Sequence, residues 1–254
     1  MIKNNKTECS HWNKQYQVFP RPKLKSHFWV GTRDYHNLLN RFIIPGMEVL
    51  DIGCAPGKTL AWAVKKKQAD VTGVDYSQDG IEISKWLFEQ MSLKGHFLCE
   101  DIFKTTLPEK TFDLVISAGV IEHFDDPSEI IDIHLRLTKP GGVALITIPH
   151  YGGIYGRLQR FFNPENLNIH NLNMMSIESL KRMALKNRYT QNVKVYSWGS
   201  THPFLVHISN KINRKLASAI SVMWNCVGWI QPIHISSLAP LLVLEIHRPV
   251  EIKI

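Results

Sequence analysis

The sequence predicts an α/β protein built on one mostly parallel, seven-stranded sheet with helices on both faces. Three observations carry that prediction. From Met47 onward, short apolar runs alternate with stretches of helical length, the pattern of successive βαβ units. The segment Val49-Leu-Asp-Ile-Gly-Cys-Ala-Pro-Gly-Lys-Thr-Leu60 reads as a strand, a tight small-residue turn and a helix start. The chain has 254 residues, 44% hydrophobic and 20% charged, enough for a core in one large or two small domains. That composition excludes a disordered, collagen-like or disulfide-stapled chain.

The elements follow in order. Strands are expected at residues 48–52, 71–75, 96–101, 112–117, 143–149, 193–198 and 241–248, with helices at 58–67, 79–91, 127–138 and 177–186. Asp126 can cap the third helix with Pro127 in its first turn. Lys139-Pro140-Gly141-Gly142 reads as that helix's stop, feeding the next strand. Residues 1–31 read as an irregular, basic and aromatic leader. Residues 32–44 read as a helix with Thr32 as N-cap and Leu38, Leu39 and Phe42 on its buried face. Residues 1–44 would then cap a domain of 45–254. Residues 150–175 and 199–240 are long connections of the kind that form lids and binding loops.

Charge is divided along the chain. Residues 1–41 carry +6, residues 42–150 carry −6 and residues 151–254 carry +8. The basic residues are dispersed apart from Lys65-Lys66-Lys67, without the clustered basic stripe of a nucleic-acid binder. Cys9, Cys54, Cys99 and Cys226 are scattered, so neither a disulfide frame nor a cysteine zinc site is indicated. The opening MIKNNKTECSHW has no apolar signal-peptide core, and no run of about 18 apolar residues exists. Both point to a cytoplasmic protein; a monomer or a homodimer is expected.

In the turn after the first strand, Gly53, Ala55 and Gly57 let the backbone approach a ligand closely at a helix N-terminus. The spacing fits neither a dinucleotide G-x-G-x-x-G nor a P-loop, since Ile52 stands where the P-loop's first glycine belongs. Asp51 ends the first strand and Asp75 ends the second, 24 residues later. An acid at that second place can accept both ribose hydroxyl hydrogens of an adenosine. Tyr76 can pack on an adenine, and Asp101 can take its exocyclic amine. Three acids ending successive strands converge on the crevice where open α/β sheets bind ligands.

These segments, DIGCAPG (51–57), VTGVDYS (71–77), EDI (100–102), FDLVISAGVIEHFDDP (112–127) and LTKPGGVALITIP (137–149), resemble the class I S-adenosylmethionine-dependent methyltransferases. The resemblance spans roughly residues 40–190 and is nearest the small-molecule enzymes of ubiquinone and menaquinone biosynthesis. It implies a Rossmann-like fold and S-adenosylmethionine as cofactor. Gly53, Ala55 and Gly57 would line its methionine moiety, Asp75 would hold the ribose, and Asp101 and Ile102 would frame the adenine. Ser117 and Ala118 would face it near the sulfonium. Ala55 stands where the family often has glycine.

On the acceptor side, His123 and His150 are the candidate general bases at the carboxyl ends of the fourth and fifth strands. Tyr151 and His170 are candidate substrate contacts, and Glu122 adjoins His123. No H-x-x-x-H spacing supports a metal there, and none is expected. Ser117-Ala-Gly-Val120 lacks the polar-Pro-Pro-aromatic motif of the enzymes that methylate nucleic-acid amino groups. Residues 210–230 read as a helix with a basic start and a tryptophan-bearing apolar remainder. It fits an acceptor lid, a dimer contact or a membrane-surface helix. The expected reaction is methyl transfer to an O, N or C nucleophile of a small molecule. Two alternatives stand beside it: a lipid or lipid-linked acceptor at a membrane surface, and a non-catalytic cofactor-binding domain.

Overall fold

The structure, a computed structural model, describes residues 6–18, 21–24, 26–186, 192–231 and 235–250. Seven strands form one sheet: β1 (Glu48–Ile52), β2 (Asp70–Asp75), β3 (His96–Cys99), β4 (Phe112–Ala118), β5 (Thr138–Pro149), β6 (Val193–Trp198) and β7 (Leu241–His247). Their order is β3-β2-β1-β4-β5-β7-β6. Strands β1 to β5 pair in parallel, while β7 runs antiparallel to both β5 and β6. From β1 the chain builds outward through β2 to β3, then returns to β4 on the other side. The carboxyl ends of β1 and β4 therefore border the switch-point crevice where such sheets bind ligands.

Strand alternation sorts the core onto two faces. Leu50, Ile52, Val115, Ile146, Ile148 and Leu244 pack with helices α5 (Ser128–Leu137), α6 (Ile154–Phe162) and α8 (Ile177–Ala184). Val49, Leu114, Ile116, Leu145 and Val243 point the other way, toward α2 (Val30–Leu39), α3 (Lys58–Lys67) and α4 (Gln78–Gln90). Local chemistry sets the helix ends. Ser77 Oγ accepts from Gly80 N at 3.1 Å to start α4, and Ser176 Oγ accepts from Ser179 N to start α8. Lys65, Lys66 and Lys67 occupy the last turn of α3, where cations complement the helix dipole.

Several expectations need correction. The leader is not irregular throughout, because Cys9–Gln17 forms helix α1. Helix α2 begins at Val30 behind an extended Trp29 and ends at Leu39, so Thr32 lies inside it and is not its N-cap. Strand β3 stops at Cys99, and Asp101 instead caps a short 3-10 turn by accepting from Phe103 N at 3.1 Å. Lys139-Pro140-Gly141-Gly142 is not a stop before β5. It lies within β5 as a bulge, since β4 residues Phe112 and Leu114 pair with Thr138 and Val143. The long connections hold further helices: α6 and α7 (Pro164–Asn168) in the first, α9 (Arg214–Ile230) in the second.

Candidate active site

The turn after β1 is shaped by its glycines. Gly53 has φ +74°, and a Cβ there would meet Val120 Cγ2 at 2.5 Å. Gly57, at φ +79°, starts α3 against Ser84, where a Cβ would sit 3.0 Å from the serine Cβ. Asp75 braces the turn from the end of β2. Its Oδ2 accepts from Ala55 N at 3.2 Å and its Oδ1 from Ser77 N at 2.9 Å. Asp51 lies beside it and is also buried. Burial, then the charge of Asp75, pushes the Asp51 carboxyl well above the usual carboxylate range. Burial likewise raises Asp75 against the pull of its backbone donors. Among the described residues neither acid has a salt-bridge partner, so the crevice favours a cation.

Helix α1 lies across this turn, and nothing in the spacing of its residues announced it. Tyr16 Oη donates to Ala55 O at 3.2 Å, Ser77 Oγ donates to Asn13 Oδ1 at 2.6 Å, and Cys9 Sγ donates to Tyr76 O at 3.1 Å. The helix and the residues just before it also reach the turn after β4. Lys6 N donates to His123 O at 2.8 Å, and the Trp12 and His123 rings meet edge-on at 5.2 Å. These contacts span tens of residues in sequence. The aromatic content of residues 1–31 was their one visible trace.

Tyr76 is half-buried at the end of β2, and Asp101 is exposed on its turn. Ile102 is packed in the apolar core. Ser117 differs from expectation. Its side chain shares a face with Val115, and its hydroxyl, fully buried, lies 2.9 Å from His134 Nε2. His134 Nδ1 donates to Ile130 O, so Nε2 is the acceptor and Ser117 the donor. Only its backbone can border the crevice; Ala118, the next residue, is exposed.

The acceptor-side candidates divide. Glu122 and His123, in a short 3-10 turn after β4, meet His170 and Tyr151. The rings of His123 and His170 lie 4.9 Å apart, and Tyr151 stands edge-on to His170 at 5.2 Å. Asn166 organises this group: its Nδ2 donates to Tyr151 Oη at 3.2 Å and its backbone carbonyl accepts from His170 Nδ1. Burial, then neighbouring His170, pushes His123 down to about 4. His150 is held on the β7 side instead, with Nδ1 donating to Ala239 O at 3.1 Å and its backbone N–H to Pro240 O.

Fold and site together define a class: a Rossmann-like α/β scaffold with two buried acids at its switch point and a buried polar cluster beside them. A family model for a methyltransferase domain matches residues 29–190, and the chain belongs to that family, the class I S-adenosylmethionine-dependent methyltransferases. Its cofactor is accordingly S-adenosylmethionine. A ubiquinone biosynthesis O-methyltransferase of Coxiella burnetii is 33% identical over 123 residues, 48% of this chain and 52% of that one. An uncharacterized methyltransferase of Schizosaccharomyces pombe is 25% identical over 194 residues, 71% of this chain and 69% of the other. Phosphoethanolamine N-methyltransferase 2 of Haemonchus contortus, solved with phosphomonomethylethanolamine and S-adenosylhomocysteine, has the same fold. Its TM-score is 0.59 at 18% identity, over 85% of this chain and 52% of that one. The chain spans about half the length of the first curated relatives it matches.

Proposed function

We propose that the protein transfers the methyl group of S-adenosylmethionine to a small-molecule acceptor bound between the glycine turn and the Glu122–His123–His170 cluster. The carrying observation is the pair of buried acids, Asp51 and Asp75, beside the glycine turn that leads from β1 into α3. A sulfonium nucleoside supplies the positive charge they lack. In this reading Asp51, Gly53, Ala55 and Gly57 line the methionine end and Asp75 takes the ribose. Tyr76, Asp101 and Ile102 border the adenine, with the Ser117 and Ala118 backbone near the sulfur. The acceptor atom attacks the methyl carbon as the carbon–sulfur bond breaks, releasing S-adenosylhomocysteine. Holding the three atoms in line can lower the barrier by roughly 7–11 kcal/mol. The O-methyltransferase activity of the Coxiella relative favours a hydroxyl acceptor. His123 is then the candidate base, because its Nδ1 is held by Ile169 O and Nε2 is left to take the proton. His150 is the reserve candidate. Calorimetric titration of S-adenosylhomocysteine, then a methyl-transfer assay across phenols and amines, tests the reading. No affinity for S-adenosylhomocysteine would reject it; affinity without turnover on any acceptor would leave a binding domain.

One observation favours a second reading, an acceptor presented by an anionic lipid surface. The outer face of α9 is apolar along its length: Leu216, Met223, Val227 and Ile230, with Val222 and Trp229 beside them. Met223 is 68% exposed and Ile230 78%. The inner face is already used, with Trp224 stacked on Tyr155 and Asn225 bonded to Val30 N and Phe28 O. Lys211, Arg214 and Lys215 stand at the start of α9, and Lys211 lies 4.4 Å over the exposed Phe161 ring. Residues 179–244 contain eight Lys and Arg and no Asp or Glu. Among the described residues no helix is long and apolar enough to cross a membrane. A basic, apolar helix lying in the interface needs no crossing. Co-sedimentation with phosphatidylglycerol vesicles, lost in Met223→Glu/Ile230→Glu, is the expected result. No sedimentation, with concentration-dependent dimerisation abolished by the same pair, would reject it.

A further inference from the structure

Two cysteines far apart in sequence meet at one atom. Cys9, the first residue of α1, donates its thiol to Tyr76 O at 3.1 Å. Cys99, the last residue of β3, donates to the same oxygen at 3.8 Å. The two sulfurs can be no farther apart than those distances laid end to end. Cys9 is half-buried and Cys99 exposed, so solvent reaches the pair, whereas Cys54 is buried and Cys226 stands on α9.

The segment that Cys9 belongs to is lightly held. No residue of α1 is fully buried. Its ties to the turn after β1 and to the end of β2 are single hydrogen bonds at Tyr16, Asn13 and Cys9, each weak on its own. A covalent bond between Cys9 and Cys99 would cross the end of β2 at Tyr76 and fix α1 to the sheet.

We propose that Cys9 and Cys99 form a redox-modification site whose disulfide fastens α1 beside the cofactor crevice. The link to the cofactor rests on the methyl-transfer reading above; the bridge itself does not. The oxidant is a small-molecule disulfide such as glutathione disulfide. Cys99, the more exposed thiol, loses its proton to solvent and its sulfur attacks one sulfur of the small disulfide. That bond breaks, one small thiolate leaves, and a mixed disulfide remains on Cys99. Cys9 then loses its proton and attacks the Cys99 sulfur, so the Cys9–Cys99 bond forms and the second small thiolate leaves. Two protein thiols are oxidised, and the small disulfide is reduced to two thiols that take their protons from solvent. Closing the sulfurs to the ~2 Å of a disulfide needs rotation of both side chains. Bridges between accessible thiols are the labile, regulatory kind, and a reducing thiol reverses this one by the same exchange.

Burial, then the charge of Asp75, pushes the Cys9 thiol up, with Asp79 adding to it and the Asn13 hydrogen bond opposing. Burial, then Cys9 and Asp75, does the same for Cys99, where Lys85 opposes and Glu100 adds. The thiolate is the attacking species, so the bridge forms slowly at neutral pH and faster as pH rises.

The test uses the full chain carrying Cys226→Ser, loaded with S-adenosylhomocysteine and held with glutathione disulfide at about pH 8.5. Peptide mass spectrometry should find Cys9 joined to Cys99 within one chain, and Cys99→Ser should form no bridge. The bridged chain should release S-adenosylhomocysteine at least about tenfold more slowly in stopped flow, and dithiothreitol should restore the reduced rate. Glutathione left on Cys99 beside an unmodified Cys9, a bridge between two chains, or no modification would overturn the site. A bridge that leaves the release rate unchanged would overturn its hold on the crevice. A bridge in a chain whose reduced form has no affinity for S-adenosylhomocysteine would support the site and reject the methyl-transfer reading alone.

Discussion

On the proposed reading the cofactor's ribose and the folded chain share the two carboxylate oxygens of Asp75. Both already accept backbone N–H groups, from Ala55 and Ser77, so the side chain fixes the turn as well as facing the crevice. Asp75→Asn retains one acceptor oxygen and removes the charge. A charge-assisted hydrogen bond contributes roughly 1.5–3 kcal/mol. Calorimetry should therefore show S-adenosylhomocysteine binding weakened about tenfold or more, and unchanged affinity would remove Asp75 from the site. Asp51 and Asp75 were legible because a strand-ending acid before a glycine turn, and another 24 residues on, is a local pattern. The inward turn of Ser117 was readable from its two-residue spacing to Val115, but its partner His134 comes from another element. Asn13 and Tyr16 gave no such sign, since their contacts reach 64 and 39 residues along the chain.

Among the elements, α5 shows how a distant residue completes a local structure. Its last carbonyls need donors, and buried Arg248, just past β7, supplies them. Arg248 Nη1 donates to Leu135 O, Arg136 O and Thr138 O at 2.8, 3.1 and 2.7 Å. The guanidinium also sits at the negative end of the helix dipole. Arg248→Ala should cost about 3 kcal/mol in urea unfolding, with part recovered by Arg248→Lys, whose ammonium can serve the same carbonyls. A loss under 1 kcal/mol would show that water replaces it. Element types were legible from periodicity, and helix α3 and strands β1 and β6 match the expected bounds. The ends that shifted are those set by tertiary contact. Thr138 joins β5 because Phe112 pairs with it, and α1 forms where it packs on α4 and the glycine turn.

For the whole molecule, the buried histidines set the response to acid. Burial pushes His134 to about 4, and burial followed by the neighbouring His27 does the same for His36, which stacks on Trp62 at 4.4 Å. The unfolded chain takes up these protons near pH 6.5. A base whose folded pKa is depressed stabilises the fold above the unfolded value, and that contribution is lost as pH falls toward the folded one. Stability should thus drop between about pH 6.5 and 4, by roughly 2–4 kcal/mol at pH 5 for the two together. Urea midpoints at pH 7.5 and 5 measure it, and His134→Gln should flatten the slope. Equal midpoints would acquit both residues.

Helix α1 touches the turn after β1 through Tyr16 and the Glu122–His123 turn through Trp12, and Lys6, just before the helix, bonds to His123 through its backbone. On the proposed reading the segment 6–17 therefore contacts both the cofactor turn and the acceptor cluster. On that reading we expect the helix to lift before products leave, so that release and not bond-making sets the rate. Tyr16→Phe with Trp12→Ala should quicken S-adenosylhomocysteine dissociation in stopped flow by about tenfold while barely changing its rate of association. Such an enzyme would show kcat falling with solvent viscosity, and the double variant would lose that dependence. A viscosity-independent kcat in the wild type would mean that the helix stays shut through the cycle or never blocks it.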